Sequence, residues 1–295
     1  MKTLKKKQQP NILANIVLAV ASVLCVAPLL LIVSASFTEQ QALFRDGYRF
    51  WPSEFSLAAF EYIFRSPKQI ITAYGVTIFV TVVGTVMSLL FTSMLAYVSV
   101  RKDCRGSRLI SFLLLFALLF NSGMVAQYIM NTKYLHLKDT IWAMILPYVI
   151  MPWHVFLMKG FFADIPMSLI EAAKIDGASE IYTFFKVIRP ISKPALATVG
   201  LFIAFTYWND WWLSMLYVED PSLTSLQYYL YRIMNNIQFL TSSMHSGNIN
   251  INMANLPSET ARMALCLVAA GPMLVIFPFF QKYFVKGLTV GAVKG

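Results

Sequence analysis

The chain has 295 residues, 58% of them hydrophobic and 13% charged, with a net charge of +10. A soluble domain carries roughly a quarter charged residues, so this composition excludes one and points to an integral membrane protein. The apolar residues fall in blocks of about 20, the length of a membrane-crossing helix and about twice that of a barrel strand, so the expected class is all-α.

In chain order, residues 1–11 form a basic tail, and 12–36 a nearly unbroken apolar run with Pro28 as a kink site. That run is too long for a secretory signal and lacks a small-residue cleavage site, so it reads as the first span. A mixed, aromatic connection follows, with room for one short helix over Leu57 to Phe64. Further spans are expected at about 70–100, 109–130, 141–162, 194–212 and 261–280. The third is interrupted by Asn121, Ser122 and Gly123, polar groups at a depth where lipid cannot satisfy them. The fourth holds Pro147, Pro152 and His154, the last read as a packed helix residue rather than a ligand contact. Residues 213–260 are the longest polar stretch, too long for a mere connector, and 281–295 are a short basic tail.

Six spans place both ends on one side of the membrane. Lys and Arg number four in the first tail, four between Arg101 and Arg108, five from Lys159 to Lys193 and three in the last tail. The opposite loops are longer in total and hold seven, so both termini are expected in the cytoplasm. This placement also accounts for the positive charge without nucleic acid as a partner.

Between spans four and five lies a polar segment, 168–190, that reads as ordered. Ser168 with Glu171 has the spacing of a capping box after Pro166, and no breaker interrupts the stretch as far as Asp176. Gly177 permits a turn, and Ile181, Phe184, Phe185 and Ile188 then recur at helical spacing up to Pro190. Two short helices meeting at a glycine are expected. The register of Glu171, Ala172, Ala173, Gly177, Ile188 and Pro190 resembles the EAA loop of permease subunits of bacterial ABC importers, with Arg189 where many relatives carry Leu. The resemblance implies that this loop, Asp176 included, is a cytoplasmic coupling helix seated in a partner ATPase, and that the whole has the type I importer permease fold of six transmembrane helices.

The remaining chemistry is sparse. The three cysteines and three histidines are scattered, which argues against a disulfide framework or metal site, and no phosphate-binding G-x-x-x-x-G-K-[ST] loop occurs. Nothing here marks an enzyme. No acidic residue lies deep inside a span, which counts against an ion-coupled secondary carrier; a secondary carrier or channel acting without an ATPase is the competing reading. At the end of the fifth span, Tyr207, Trp208, Asn209, Asp210 and Trp211 admit two readings. They form either an interfacial aromatic belt or a wall on which sugar rings stack and hydrogen-bond, with Asn121 and Ser122 on the same path. In the importers this chain resembles, the loop before the last span reaches toward the bound solute-binding protein, which implies that contact for Tyr228, Tyr229, Tyr231, Asn235 and Asn236 in the 213–260 loop. The substrate is an alternative partner, and a disordered surface insertion is the other reading of the loop.

The basic start, the EAA loop, the aromatic end of the fifth span and the ending Phe284-Val285-Lys286-Gly287 together resemble the carbohydrate branch of binding-protein-dependent importers, similar to the maltose-type inner-membrane subunit. This implies a multi-pass subunit of a bacterial cell membrane. It implies as partners a homologous sister permease, two cytoplasmic ATPases that bind ATP and Mg, an extracytoplasmic sugar-binding protein, membrane lipid and an oligosaccharide cargo. No cofactor is expected in this chain itself.

Overall fold

The structure is a computed structural model that describes residues 12–101, 103–120, 122–245 and 258–292. Among these residues it is helical, with a single isolated antiparallel bridge between Thr38 and Phe55 and no strand. Three helices are long and apolar enough to cross a membrane, and three bent pairs also qualify if each counts as one span.

The chain divides into two compact units. The first comprises the described residues up to Arg65 together with Ile233–Ala270. Here α1 (Ile12–Ser36) exposes nearly all its apolar side chains until Ser34 to Ser36 become buried, which is the surface a lipid-bathed helix presents. Two short helices, α2 (Gln40–Asp46) and α3 (Ala58–Ile63), follow it, and Phe37 stacks on both Phe55 and Phe60. Gln40 is buried and reaches far along the chain. Its amide nitrogen donates to Ser258 Oγ at 3.0 Å, and its oxygen accepts from the backbone N–H and the hydroxyl of Thr260, each at 3.1 Å.

The second unit, Ser66–Arg232 with the described residues from Gly271, is built on α4 (Pro67–Val100). Pro67 occupies the first helical position, where its missing N–H costs nothing. At 34 residues α4 is about 50 Å long, well beyond one hydrocarbon core. Its inward stripe is small, with Thr77, Gly84, Ser88, Thr92 and Ala96 all buried, and small side chains let neighbouring helices come close. The helices α5 (Ser107–Leu119), α7 (Pro152–Ala163) and α11 (Lys193–Trp208) pack against it. Between α5 and α6 (Met124–Ile129) the chain opens at Phe120, and Gly123 takes a positive φ of 78°. The fourth span is bent as its prolines suggest. Short 3-10 turns at Ile141–Met144 and Leu146–Tyr148 lead through extended Met151 into α7, a change of direction of 46°.

Two expectations are corrected. The fifth helix ends at Trp208, and the polar stretch after it is largely helical in its described part rather than loose. It forms α12 (Trp212–Tyr217), one 3-10 turn at Pro221–Leu223 and α13 (Leu226–His245). Leu226, Leu230 and Ile237 recur at helical spacing and are buried, so core packing overrides the loop-like composition. The last helix, α14, runs Ser258–Ala292.

Candidate functional site

The segment between Pro166 and Ser192 folds as two helical pieces joined by a tight turn. The first, α8 (Met167–Ile175), begins directly after Pro166, which itself holds the N-cap position. Ser168 therefore lies inside the first turn and caps nothing, so the capping box with Glu171 does not form. Ile170 and Ala173 face inward, while Glu171, Ala172 and Lys174 face out and Ile175 is 86% exposed.

The helix stops in a Schellman turn. Gly177 N–H donates to Lys174 O at 3.0 Å and Ala178 N–H to Ala173 O at 2.9 Å, with Gly177 at φ 77° and Asp176 as the capping residue. Ser179 then caps the next helix, its hydroxyl accepting from Tyr182 N–H at 3.3 Å. From there α9 (Glu180–Tyr182), a π-helical run (Thr183–Ile188) and α10 (Arg189–Ile191) form one rod. It meets α11 at 88° across Ser192, between Pro190 and Pro194. Phe184 and Ile188 are buried, the former against the ring of Tyr97 at 5.6 Å.

A charged clamp joins this turn to the end of α4. Arg101, 5% exposed, donates to both Glu180 oxygens at 2.7 and 2.9 Å and to both Asp103 oxygens. Lys174 Nζ donates to Asp103 at 2.5 Å and lies 3.5 Å from Glu180, while Tyr97 Oη donates to Glu180 at 3.0 Å. Arg101 holds Asp103 well below the usual carboxylate range, helped by Lys174, and likewise lowers Glu180. The bond to Asp103 raises Lys174 and Arg101 in turn. The arrangement fixes the turn's angle to the spans while leaving Glu171, Asp176 and Ile175 facing outward. None of the four charged clamp residues stands out as a functional residue in the sequence; the one local hint is an acid in the first turn after the Ser179 cap.

The other site candidates separate. Asn121 lies outside the described residues, and Ser122 is exposed. Tyr207 and Trp208 are interior, 2% and 3% exposed, and the Tyr207 hydroxyl donates to Ile145 O at 2.9 Å. Asp210 is held by Tyr148 Oη at 3.0 Å and Leu213 N–H at 3.2 Å. Asn209 is exposed, and Trp211 stacks on Tyr231 with ring centres 4.6 Å apart. That stack joins two residues assigned to different surfaces by sequence. Tyr228 lies beneath Arg232, Tyr229 is buried, and Asn235 and Asn236 are exposed along α13.

Residues 107–290 match the family described as binding-protein-dependent transport system inner membrane component. The chain belongs to this family. The match covers the helix–turn–helix and its junction with α11, and a permease component of this kind is a multi-pass membrane protein, not an enzyme. The permease is 36% identical over 270 residues to Protein LplC of Bacillus subtilis, covering 92% of this chain and 90% of that one. It is 38% identical over 277 residues to the polygalacturonan/rhamnogalacturonan transport system permease protein YtcP of the same organism, covering 93% and 94%. Among solved structures, it resembles a chain of a bacterial ABC transporter involved in the import of the acidic polysaccharide alginate. That likeness has a TM-score of 0.75 and 28% identity, covering 92% of this permease and 95% of that chain.

Proposed function

We propose that this permease is one of two homologous membrane subunits of an ATP-driven oligosaccharide importer in a bacterial cell membrane. Both of its termini are cytoplasmic, as the distribution of Lys and Arg favours. Two partner ATPases bind ATP and Mg, and an extracytoplasmic sugar-binding protein delivers the cargo. The observation that carries this reading is the helix–turn–helix, clamped at Arg101 and presenting an unpartnered face of Glu171, Ala172 and Ile175.

On closing, the ATPases would move α8 and, through the fixed turn, the α9–α10 rod against α11, so that the path opens alternately to each side. The cleft of about 570 Å³ lined by Ala173, Asp176, Gly177 and Tyr182 suits an inserted ATPase side chain. Asn209 and the Trp211–Tyr231 stack offer a flat apolar surface with a polar neighbour, the pairing a sugar ring uses. Uronate-containing oligosaccharides are the cargo to test first, because the named polygalacturonan and alginate systems both handle acidic polymers.

The test is sidedness combined with contact. With the native cysteines replaced, Glu171→Cys should resist an impermeant maleimide applied to intact cells. It should react in inverted vesicles and cross-link to the ATPase in the assembled complex. Labelling from outside, or no ATPase adduct, would overturn the reading.

A further inference from the structure

A basic cleft lies beside the clamp and shares Arg101 with it. The ends of α4, α5 and α7 enclose a cleft of about 840 Å³ whose lining includes Ser99, Arg101, Arg105, Ser107, Arg108 and Lys159, and no acidic residue. Arg101 is committed to Asp103 and Glu180. Lys159 Nζ donates to Ser111 Oγ at 3.1 Å and lies 5.8 Å from the Phe156 ring, and forms no ion pair among the described residues. Among the described residues, neither Arg105 nor Arg108 forms an ion pair with an acidic group. Among the described residues, Arg105, Arg108 and Lys159 therefore share one cleft with no ion-pair partner.

One polar group points to a ligand rather than to a merely solvated surface. Ser99 is 6% exposed and its hydroxyl has no hydrogen-bond partner, an expensive condition for a buried group. The neighbouring Ser107 hydroxyl is already used, donating to Ser99 O at 3.1 Å. Ser107 also opens α5, whose first amides carry the partial positive charge of a helix N-terminus.

The surface above the cleft is apolar. Arg108, Phe112, Phe116 and Phe120 recur every four residues along one side of α5; Leu109 and Phe112 are each 61% exposed, and the Phe116 and Phe120 rings stack at 4.4 Å. A cationic pocket at the foot of an exposed aromatic stripe matches a molecule with an anionic head and hydrocarbon tails. We propose that this cleft binds the phosphate of an anionic phospholipid, with Arg105, Arg108 and Lys159 pairing its charge, Ser99 Oγ donating to it, and the acyl chains lying along Phe112 and Phe116. A free phosphate would use the cations alone and leave the stripe without a role. The proposal rests on the membrane location of the chain and not on its cargo.

The full-length chain, purified with its co-purifying subunits, is offered equimolar phosphatidylglycerol and phosphatidylcholine and weighed by native mass spectrometry. It should retain phosphatidylglycerol selectively, even against excess inorganic phosphate. Arg105→Gln with Arg108→Gln should cut that retention by roughly thirty-fold, the effect of losing two such charges. Arg105→Lys with Arg108→Lys should largely restore it, which separates lost charge from misfolding. Equal retention of the two lipids, or undiminished retention by the glutamine pair, would overturn the proposal. So would displacement by inorganic phosphate, which would mark a free-phosphate site instead.

Discussion

Arg101 holds Glu180 through two parallel hydrogen bonds across 79 residues of chain, and so ties the first turn of the α9–α10 rod to the end of the longest described transmembrane helix of its unit. A bidentate guanidinium–carboxylate pair fixes direction as well as distance, which a single ammonium contact does not.

Replacing Arg101 should therefore loosen the turn. Glu180 is more than half exposed, so solvent screens the pair, and the expected loss is about 1–2 kcal/mol rather than the larger value of a wholly buried pair. Arg101→Met should raise protease cleavage between Asp176 and Tyr182 and lower uptake per ATP hydrolysed, with Arg101→Lys intermediate. Cleavage and coupling at wild-type levels in the Met variant would refute the clamp.

The same clamp sets a pH window. Glu180 and Asp103 are lowered from ordinary values of 4.5 and 3.8, so their contribution is complete above those values and fades as acid protonates them. Lys174 is raised from 10.5, so its share persists below that value and fades only in strong alkali. Hydrogen exchange of the turn should thus be flat through neutrality once its intrinsic pH dependence is removed, and should rise only below about pH 4. A step near neutrality would show that another group governs the turn.

Gly177→Val places a β-branched residue at φ 77° where the added carbon meets no neighbouring atom, so the penalty is backbone strain and not collision. The expected strain is about 1–2 kcal/mol, relieved by reopening the Schellman turn. The variant should assemble but hydrolyse ATP with reduced uptake, and Gly177→Asn should be milder. Unchanged uptake per hydrolysis in the Val variant would remove Gly177 from the coupling path.

Gly84 is constrained differently. A Cβ there would stand 2.6 to 2.7 Å from carbons of the Tyr207 ring, which cannot easily retreat because its hydroxyl is bonded to Ile145 O. Gly84→Ala should cost about 1–3 kcal/mol and lower the thermal midpoint in detergent, with partial recovery in a Gly84→Ala, Tyr207→Leu pair. An unchanged midpoint in the single variant would mean that α4 and α11 are less closely apposed.

Much of the coupling segment is legible in the sequence because its signals are local. Pro166 marks a start, Gly177 a left-handed stop, and Pro190 and Pro194 the bend into α11. Ser168 misleads because the spacing of a cap does not reveal which residue holds the cap position. The helix after Leu226 hides behind Asn, Ser and Met, although Leu226, Leu230 and Ile237 carry its period. The clamp and the burial of Tyr207 depend on residues about 60 to 80 positions apart, and no window along the chain contains both partners.

The buried amide of Gln40 bears on biogenesis. Its partners Ser258 and Thr260 are 218 and 220 residues downstream, so Gln40 cannot be paired until that much further chain has left the ribosome. Until then Gln40 must stay hydrated or borrow a temporary partner, and a product truncated before residue 258 keeps that debt for good. Quality-control proteases would thus find premature termination products already marked for removal.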